Sequence, residues 1–210
     1  MKIYMIRHGE TDWNKTRRLQ GQVDIPLNEF GRKLARETAP ALLDVPFDVV
    51  YTSPLKRAKE TAKIVIGDRR IPIIEEPRIM EMGFGEYEGL ICKGDGFNIP
   101  DPEFRNFFLA PKKYHPPKGG ESFEQLSERL DEFLQELYQN RKLQNKTILL
   151  STHGAALCGI LRLMKNAPME EYWGRGVHKN CAVSVAEEQD GKVAILEEGV
   201  VYYREQVADW

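Results

Sequence analysis

Short apolar runs of β type alternate with amphipathic helical stretches along most of this chain, and that alternation narrows the possible folds more than any other feature. The first run, residues 2–6, stops at Arg7-His8-Gly9. Asn28 then stands as N-cap to a helix in which Phe30, Leu34, Ala41 and Leu42 sit at helical spacing, and Pro40 predicts a kink or a stop. Residues 48–51 predict a second strand leading into Thr52-Ser53-Pro54. Serine as N-cap with proline at the first helical position predicts a helix over 54–66. A further short strand is expected over 71–74. Ser122 and Gln125 form a capping box ahead of an apolar stripe of Leu126, Leu130, Phe133, Leu134 and Leu137. Residues 146–151 read as a strand, and Gly154 opens a helix apolar almost all round, which predicts burial. Two last runs, 182–187 and 193–197 with Gly191 between them, predict a hairpin. The expected fold class is α/β: a three-layer α/β/α sandwich whose mostly parallel central sheet carries an antiparallel edge strand.

The chain has 210 residues, which fits one domain over 1–210 and can bury a core without disulfides or structural metal. Residues 90–120 are punctuated by glycine and proline with Phe104, Phe107 and Phe108 between, and read as a lid-like insertion with one short helix near 102–109. Thirty basic against 32 acidic side chains argue against bulk nucleic-acid binding. No run approaches the ~18 apolar residues of a membrane span, and the start has no signal-peptide pattern. Three widely spaced cysteines, Cys92, Cys158 and Cys181, indicate neither a disulfide framework nor a zinc site. The expectation is a cytoplasmic protein with no nucleic-acid or membrane partner; whether it is a monomer or a dimer is left open.

Parallel sheets place ligand sites at the carboxyl ends of their strands. Three such ends here carry Arg7-His8-Gly9, then Thr52-Ser53-Pro54 with Arg57 one turn on, and Thr152-His153-Gly154. Two arginines offer planar donor forks suited to phosphate oxygens, and helix N-termini after Ser53 and Gly154 would turn N–H groups to the same place. The chain has no Walker-type lysine loop, no cysteine in an arginine-flanked loop and no carboxylate cluster for Mg²⁺, which leaves an imidazole as nucleophile.

These residues belong to larger blocks. RHGETDWNKTRRLQG at 7–21, with Asp24 to Leu27 and Gly31, resembles the signature of the histidine phosphatase superfamily, the phosphoglycerate-mutase-like enzymes. Ser53 to Ala58 with Thr61 and Ala62, Glu81 to Gly89, Gly119 to Ser122, and Thr152 to Gly154 are similar to the family's four further blocks. Tyr87 stands where the family usually has tryptophan. The blocks cover most of the chain except roughly 90–115 and the last 40 residues.

The resemblance implies that His8 is the nucleophile and carries a phosphohistidine intermediate. Arg7, Arg57 and His153 would bind the transferring phosphoryl oxygens, and Glu81 would protonate the leaving alcohol, with Glu86 and Glu88 as competitors for that role. Asn14, Gln20, Gly21 and Gly154 match positions near the phosphate, and no metal or organic cofactor is required. His115 and His178 fall outside the blocks and read as surface or packing residues; Cys158 reads as core. Cofactor-dependent mutases of the family carry a His-Tyr-Gly stretch after the acid and a longer basic insertion. Here Met82-Gly83-Phe84 follows Glu81 and the segment up to Gly119 is short. The expected activity is phosphomonoester hydrolysis of a small phosphorylated metabolite. A bisphosphate-dependent phosphoglycerate mutase is the first alternative, and a phosphate-binding relative without catalysis is the second. Residues 90–120 are expected to carry specificity, their phenylalanines mostly as a satellite core and their lysines mostly solvated.

Overall fold

The computed structural model of the chain describes residues 1–207. Its centre is a six-stranded sheet of β1 (Lys2–Arg7), β2 (Val49–Thr52), β3 (Ile73–Glu75), β4 (Thr147–Thr152), β5 (Val183–Gln189) and β6 (Lys192–Val200), in the order β3-β2-β4-β1-β5-β6. The first four strands of that order run parallel, and β5 pairs antiparallel with both β1 and β6. The helices are α1 (Asp12–Lys15), α2 (Glu29–Thr38), α3 (Lys56–Ile66), α4 (Asn106–Leu109), α5 (Phe123–Gln139) and α6 (Gly154–Met164).

Alternation along the central strands sorts side chains to two faces. Ile3 and Met5 of β1 join Ile148 and Leu150 of β4 against α5 and α6. Ile6 of β1, with Leu149, Val50 and Val183, packs instead against Leu34 of α2 and Ala62 and Val65 of α3. Both faces are thus covered, as expected for strands buried on two sides. The hairpin joining β5 to β6 turns on Asp190 (φ 51°) and Gly191 (φ 77°), a two-residue loop of the kind that matches strand twist.

Local signals hold at most boundaries. Asn28 caps α2 through Gly31 N–H at 2.8 Å, and α2 gives way to a 3₁₀ turn over Ala39–Leu42 at Pro40. The Ser122–Gln125 capping box is formed at α5. The start of α3 differs from expectation. Leu55 is extended (ψ 135°), the helix begins at Lys56, and Ser53 Oγ accepts only from the Leu55 N–H. The reason lies in the preceding loop, where Asp24 Oδ1 accepts from Lys56 N–H at 2.7 Å and so takes over the capping role.

The segment from 90 to 120 wraps over the α5–α6 face. Phe104, Phe107 and Tyr114 are buried against one another, Phe107 stacks on Phe123 and meets Trp173 edge-on, and Tyr114 meets Phe123 edge-on, whereas Phe97 is exposed. The expected satellite core is corrected: Phe104 and Phe107, with Phe108 packed against them, are continuous with the main core through Phe123, while Lys93, Lys112, Lys113 and Lys118 are exposed. No helix among the described residues is long and apolar enough to cross a membrane. Cys92, Cys158 and Cys181 are free and buried.

Candidate active site

The register of β1 against β4 pairs Arg7 with Thr152, so His8 and His153 leave the sheet side by side. The His8 N–H donates to the Thr152 carbonyl at 2.9 Å, and the two rings stand 5.1 Å apart, centroid to centroid. On the far side of β4, β2 leads into α3, which delivers the buried Arg57. Glu81 comes from the irregular stretch after β3.

The two imidazoles are held in different tautomers, assigned from their partners. His8 Nδ1 lies 2.7 Å from the Gly9 carbonyl, which can only accept, so Nδ1 carries the proton and Nε2 its lone pair. Arg57 Nε donates to His153 Nδ1 at 3.1 Å, so the His153 proton sits on Nε2. That Nε2 and the Nε2 of Gln20 are buried donors with no hydrogen-bond partner among the described residues. An unsatisfied buried donor is costly, and two beside one imidazole lone pair suit an incoming oxyanion.

Burial, then the charges of Arg57 and Arg7, hold the His8 imidazole well below its ordinary pKa of 6.5. His153 is lowered by burial first, then by Arg57, His8, Arg129 and Arg7. Both are neutral at neutral pH, so His8 Nε2 keeps its lone pair and His153 Nε2 its proton. Burial lowers Arg7 and Arg57 to about 10, partly offset in each by Glu81, so both remain cationic at pH 7.

Glu81 is fixed by three backbone N–H groups. Its Oε1 accepts from Met82 at 3.0 Å and Ala156 at 2.9 Å, and its Oε2 from Ala155 at 3.1 Å. The N-terminus of α6 thus serves this carboxylate rather than a ligand, and that of α3 serves Asp24. The expectation that both helix ends face the phosphate is corrected accordingly, because a side-chain carboxylate has reached each first.

Arg7, His8, Asn14, Gln20, Glu81 and Gly154 line one open cavity. At Gly154 a Cβ would stand 3.0 Å from Val177 Cγ1 and 3.5 Å from Glu81 Oε2, so glycine keeps this wall clear. Asn14 Oδ1 accepts from the Thr11 N–H, and Gln20 Oε1 from the Thr11 hydroxyl, which holds both loops at the rim. Gly21 does not line the cavity. Its carbonyl, with that of Val23, accepts from Arg57 at 2.6 and 2.9 Å. Arg57 and His153 are fully buried, with the His153 ring against that of His8. The remaining wall is apolar: Leu19, Phe84, Phe107, Phe108, Ala155, Trp173 and Val177.

The competing carboxylates do other work. Glu88 accepts from the N–H groups of Gln22, Val23 and Phe84, tying the Gly21–Val23 loop down, and no contact of Glu86 brings it to the cavity lining. His115 is exposed. His178 is buried, and its backbone carbonyl accepts from Arg7 Nη1. Asn180 Nδ2 donates to the His8 carbonyl at 2.9 Å. Both lie just before β5, where neither periodicity nor spacing distinguishes them, and only the tertiary structure brings them to the site.

A family model described as the histidine phosphatase superfamily (branch 1) matches residues 3–200. The uncharacterized phosphatase PhoE of Bacillus subtilis (strain 168) is 36% identical over 159 residues, 76% of this chain and 75% of that one. The metal-independent phosphoserine phosphatase of Arabidopsis thaliana is 34% identical, covering 91% of this chain and 78% of the relative. Among solved structures, Bacillus stearothermophilus YhfR superposes with a TM-score of 0.87 at 35% identity, over 96% of this chain and 98% of that one. With the sheet, the paired histidines and the two buried arginines in place, the conclusion is direct: the chain belongs to the histidine phosphatase superfamily.

Proposed function

We propose that the protein hydrolyses phosphate monoesters through a phospho-His8 intermediate, with a neutral, largely apolar alcohol as leaving group. His8 Nε2, unprotonated and aimed by its Nδ1–H bond to Gly9, attacks phosphorus; the N–P bond forms as the P–O bond to the alcohol breaks. Glu81 gives a proton to the departing oxygen, then takes one from the water that attacks phospho-His8. Breaking the N–P bond releases inorganic phosphate and regenerates His8. Arg7, His153 Nε2–H and Gln20 Nε2–H would donate to the phosphoryl oxygens, and Arg57 would orient His153 while adding positive charge.

The single observation that carries the reading is the pair of locked tautomers, which leaves a lone pair on His8 and a proton on His153. The leaving-group side follows from the lining. Beyond the catalytic end the wall is aromatic and aliphatic, and none of the four lysines of 90–120 lines it. A second phosphate or a carboxylate, as a bisphosphate-primed mutase or a phosphoamino acid requires, would meet no cation there.

The test is rapid-quench trapping with radiolabelled aryl phosphate on wild type and His8→Ala, beside turnover of naphthyl phosphate, phosphoserine and 3-phosphoglycerate. An acid-labile, base-stable phosphoenzyme absent from His8→Ala, with naphthyl phosphate preferred, supports the proposal. Isomerisation of 3-phosphoglycerate dependent on a bisphosphate primer would instead make the protein a mutase.

A further inference from the structure

Glu81 sits on irregular backbone between the 3₁₀ turn Pro77–Ile79 and Phe84, with no strand ladder to fix it. A proton donor must nevertheless be placed within a fraction of an ångström of the leaving oxygen. The carboxylate itself is held by three backbone N–H groups, and single side chains, Gln22 and Thr152, donate to the Glu81 and Ile79 carbonyls. Most bonds to the segment's backbone, however, come from one side chain on α5. All five N–H groups of Arg129 are used. Its Nη1 donates to the Arg78 and Met80 carbonyls at 2.6 and 2.9 Å, and its Nη2 to the Glu81 carbonyl at 3.0 Å. The other two, from Nε and Nη2, form a bidentate pair with Glu121 at 2.6 and 2.8 Å.

Glu121 completes the clamp. Its Oε2 also accepts from Gly83 N–H at 3.2 Å, and its own N–H donates to the Gly83 carbonyl at 2.8 Å. Backbone groups of residues 78, 80, 81 and 83 are therefore all bonded to this ion pair. A lysine could replace it only in part, since an ammonium has three donors and no planar fork.

We infer that Arg129, held by Glu121, is the positioning residue for Glu81: it sets where the carboxyl stands when it hands its proton to the leaving alcohol. The inference rests on the role proposed for Glu81 above. Arg129 does not line the cavity, so its effect passes through the backbone of Glu81.

A positioning role and a merely structural one differ in a measurable way. Nitrophenolate leaves without a proton, whereas an alkoxide needs one, so misplacing Glu81 must penalise substrates in order of leaving-group basicity. The experiment measures kcat/KM, which reports steps through departure of the alcohol, over aryl and alkyl phosphates spanning a wide range of alcohol pKa. Wild type, Arg129→Met, Arg129→Lys, Glu121→Gln and Glu81→Gln are compared. Arg129→Met is expected to lose ~10²-fold on alkyl phosphates, within the range for general acid catalysis, and only a few-fold on p-nitrophenyl phosphate. Arg129→Lys should recover part of the alkyl activity. Should Arg129→Met fail to fold, Arg129→Lys and Glu121→Gln must still show a steeper dependence on alcohol pKa than wild type. A uniform loss across the series in the Arg129 and Glu121 variants, with a steep one in Glu81→Gln, would overturn the inference alone. A flat series in Glu81→Gln itself would overturn the acid role of Glu81, and the inference with it.

Discussion

Arg57 donates its Nε–H to Nδ1 of His153 at 3.1 Å, so a cation, usually credited with gripping substrate, here writes the protonation pattern of its neighbour. An Arg57→Lys variant keeps a charge but loses the planar Nε donor and both loop carbonyl contacts. Its kcat/KM for p-nitrophenyl phosphate should fall by roughly 10²-fold, the scale of one lost oxyanion donor. Retention of wild-type kcat/KM by this variant would show that the tautomer lock is dispensable.

Stability should fall with acid in a way set by buried histidines. His8, His153 and His178 are all lowered chiefly by burial, against an unfolded value near 6.5. Above about 6.5 the imidazoles are neutral in both states and contribute no pH dependence. Below it the unfolded chain binds protons that native His8 and His153 refuse, so each of these two removes roughly 1.4 kcal/mol per pH unit, and His178 adds in the same direction. Urea unfolding between pH 7.5 and 5.5 should show this slope, shallower by one proton in His153→Gln. An unchanged slope in that variant would refute the assignment.

How much of this was legible beforehand depends on the kind of residue. His8, His153, Arg7 and Arg57 stand at strand ends or one turn into a helix, and the alternation that builds the sheet also places them. The helix N-termini differ from expectation because Asp24 and Glu81, distant in sequence, reach their N–H groups, and no local pattern encodes that. Arg129 was invisible for a related reason. On an amphipathic helix it reads as one more polar position, and only the tertiary path of 78–83 gives its five donors their acceptors.

Glu88 offers a test of the loop that seats Arg57. It accepts from Gln22 and Val23 N–H, and the carbonyls on either side of Gln22 accept from Arg57. Glu88→Ala should raise KM and the inhibition constant for inorganic phosphate by about tenfold, equivalent to ~1.4 kcal/mol. An unaltered phosphate inhibition constant would separate the loop from ligand binding.

The apolar wall predicts selectivity. Phe108 is half-buried and lines the cavity beside Trp173, whose Nε1 donates to the Phe107 carbonyl at 2.8 Å. Phe108→Ala should cut kcat/KM for naphthyl phosphate by roughly tenfold, as expected from lost apolar burial, while methyl phosphate changes little. Equal losses on both would place Phe108 in the core alone.

Gly31 lies inside α2, where alanine ordinarily stabilises by about 1 kcal/mol. Here a Cβ would stand 2.1 Å from the Glu10 carbonyl oxygen. Gly31→Ala should therefore destabilise by ~2 kcal/mol, in the range for overpacking, and reduce turnover through the adjoining His8–Gly9 turn. A gain in thermal midpoint would contradict this.

The position of β1 at the heart of the sheet carries a consequence for how the protein is made. Its partners, β4 and β5, lie near the other end of the chain. As the polypeptide emerges from the ribosome, the strand that leads into His8 stays unzipped until residues 147–187 have been translated. Long-range pairing of this kind is slow and leaves apolar edges open meanwhile. Catalysis is therefore a late event in biogenesis: nascent chains cut before β5 should be inert and prone to clump, and the first turnover announces that β1 has met both of its neighbours.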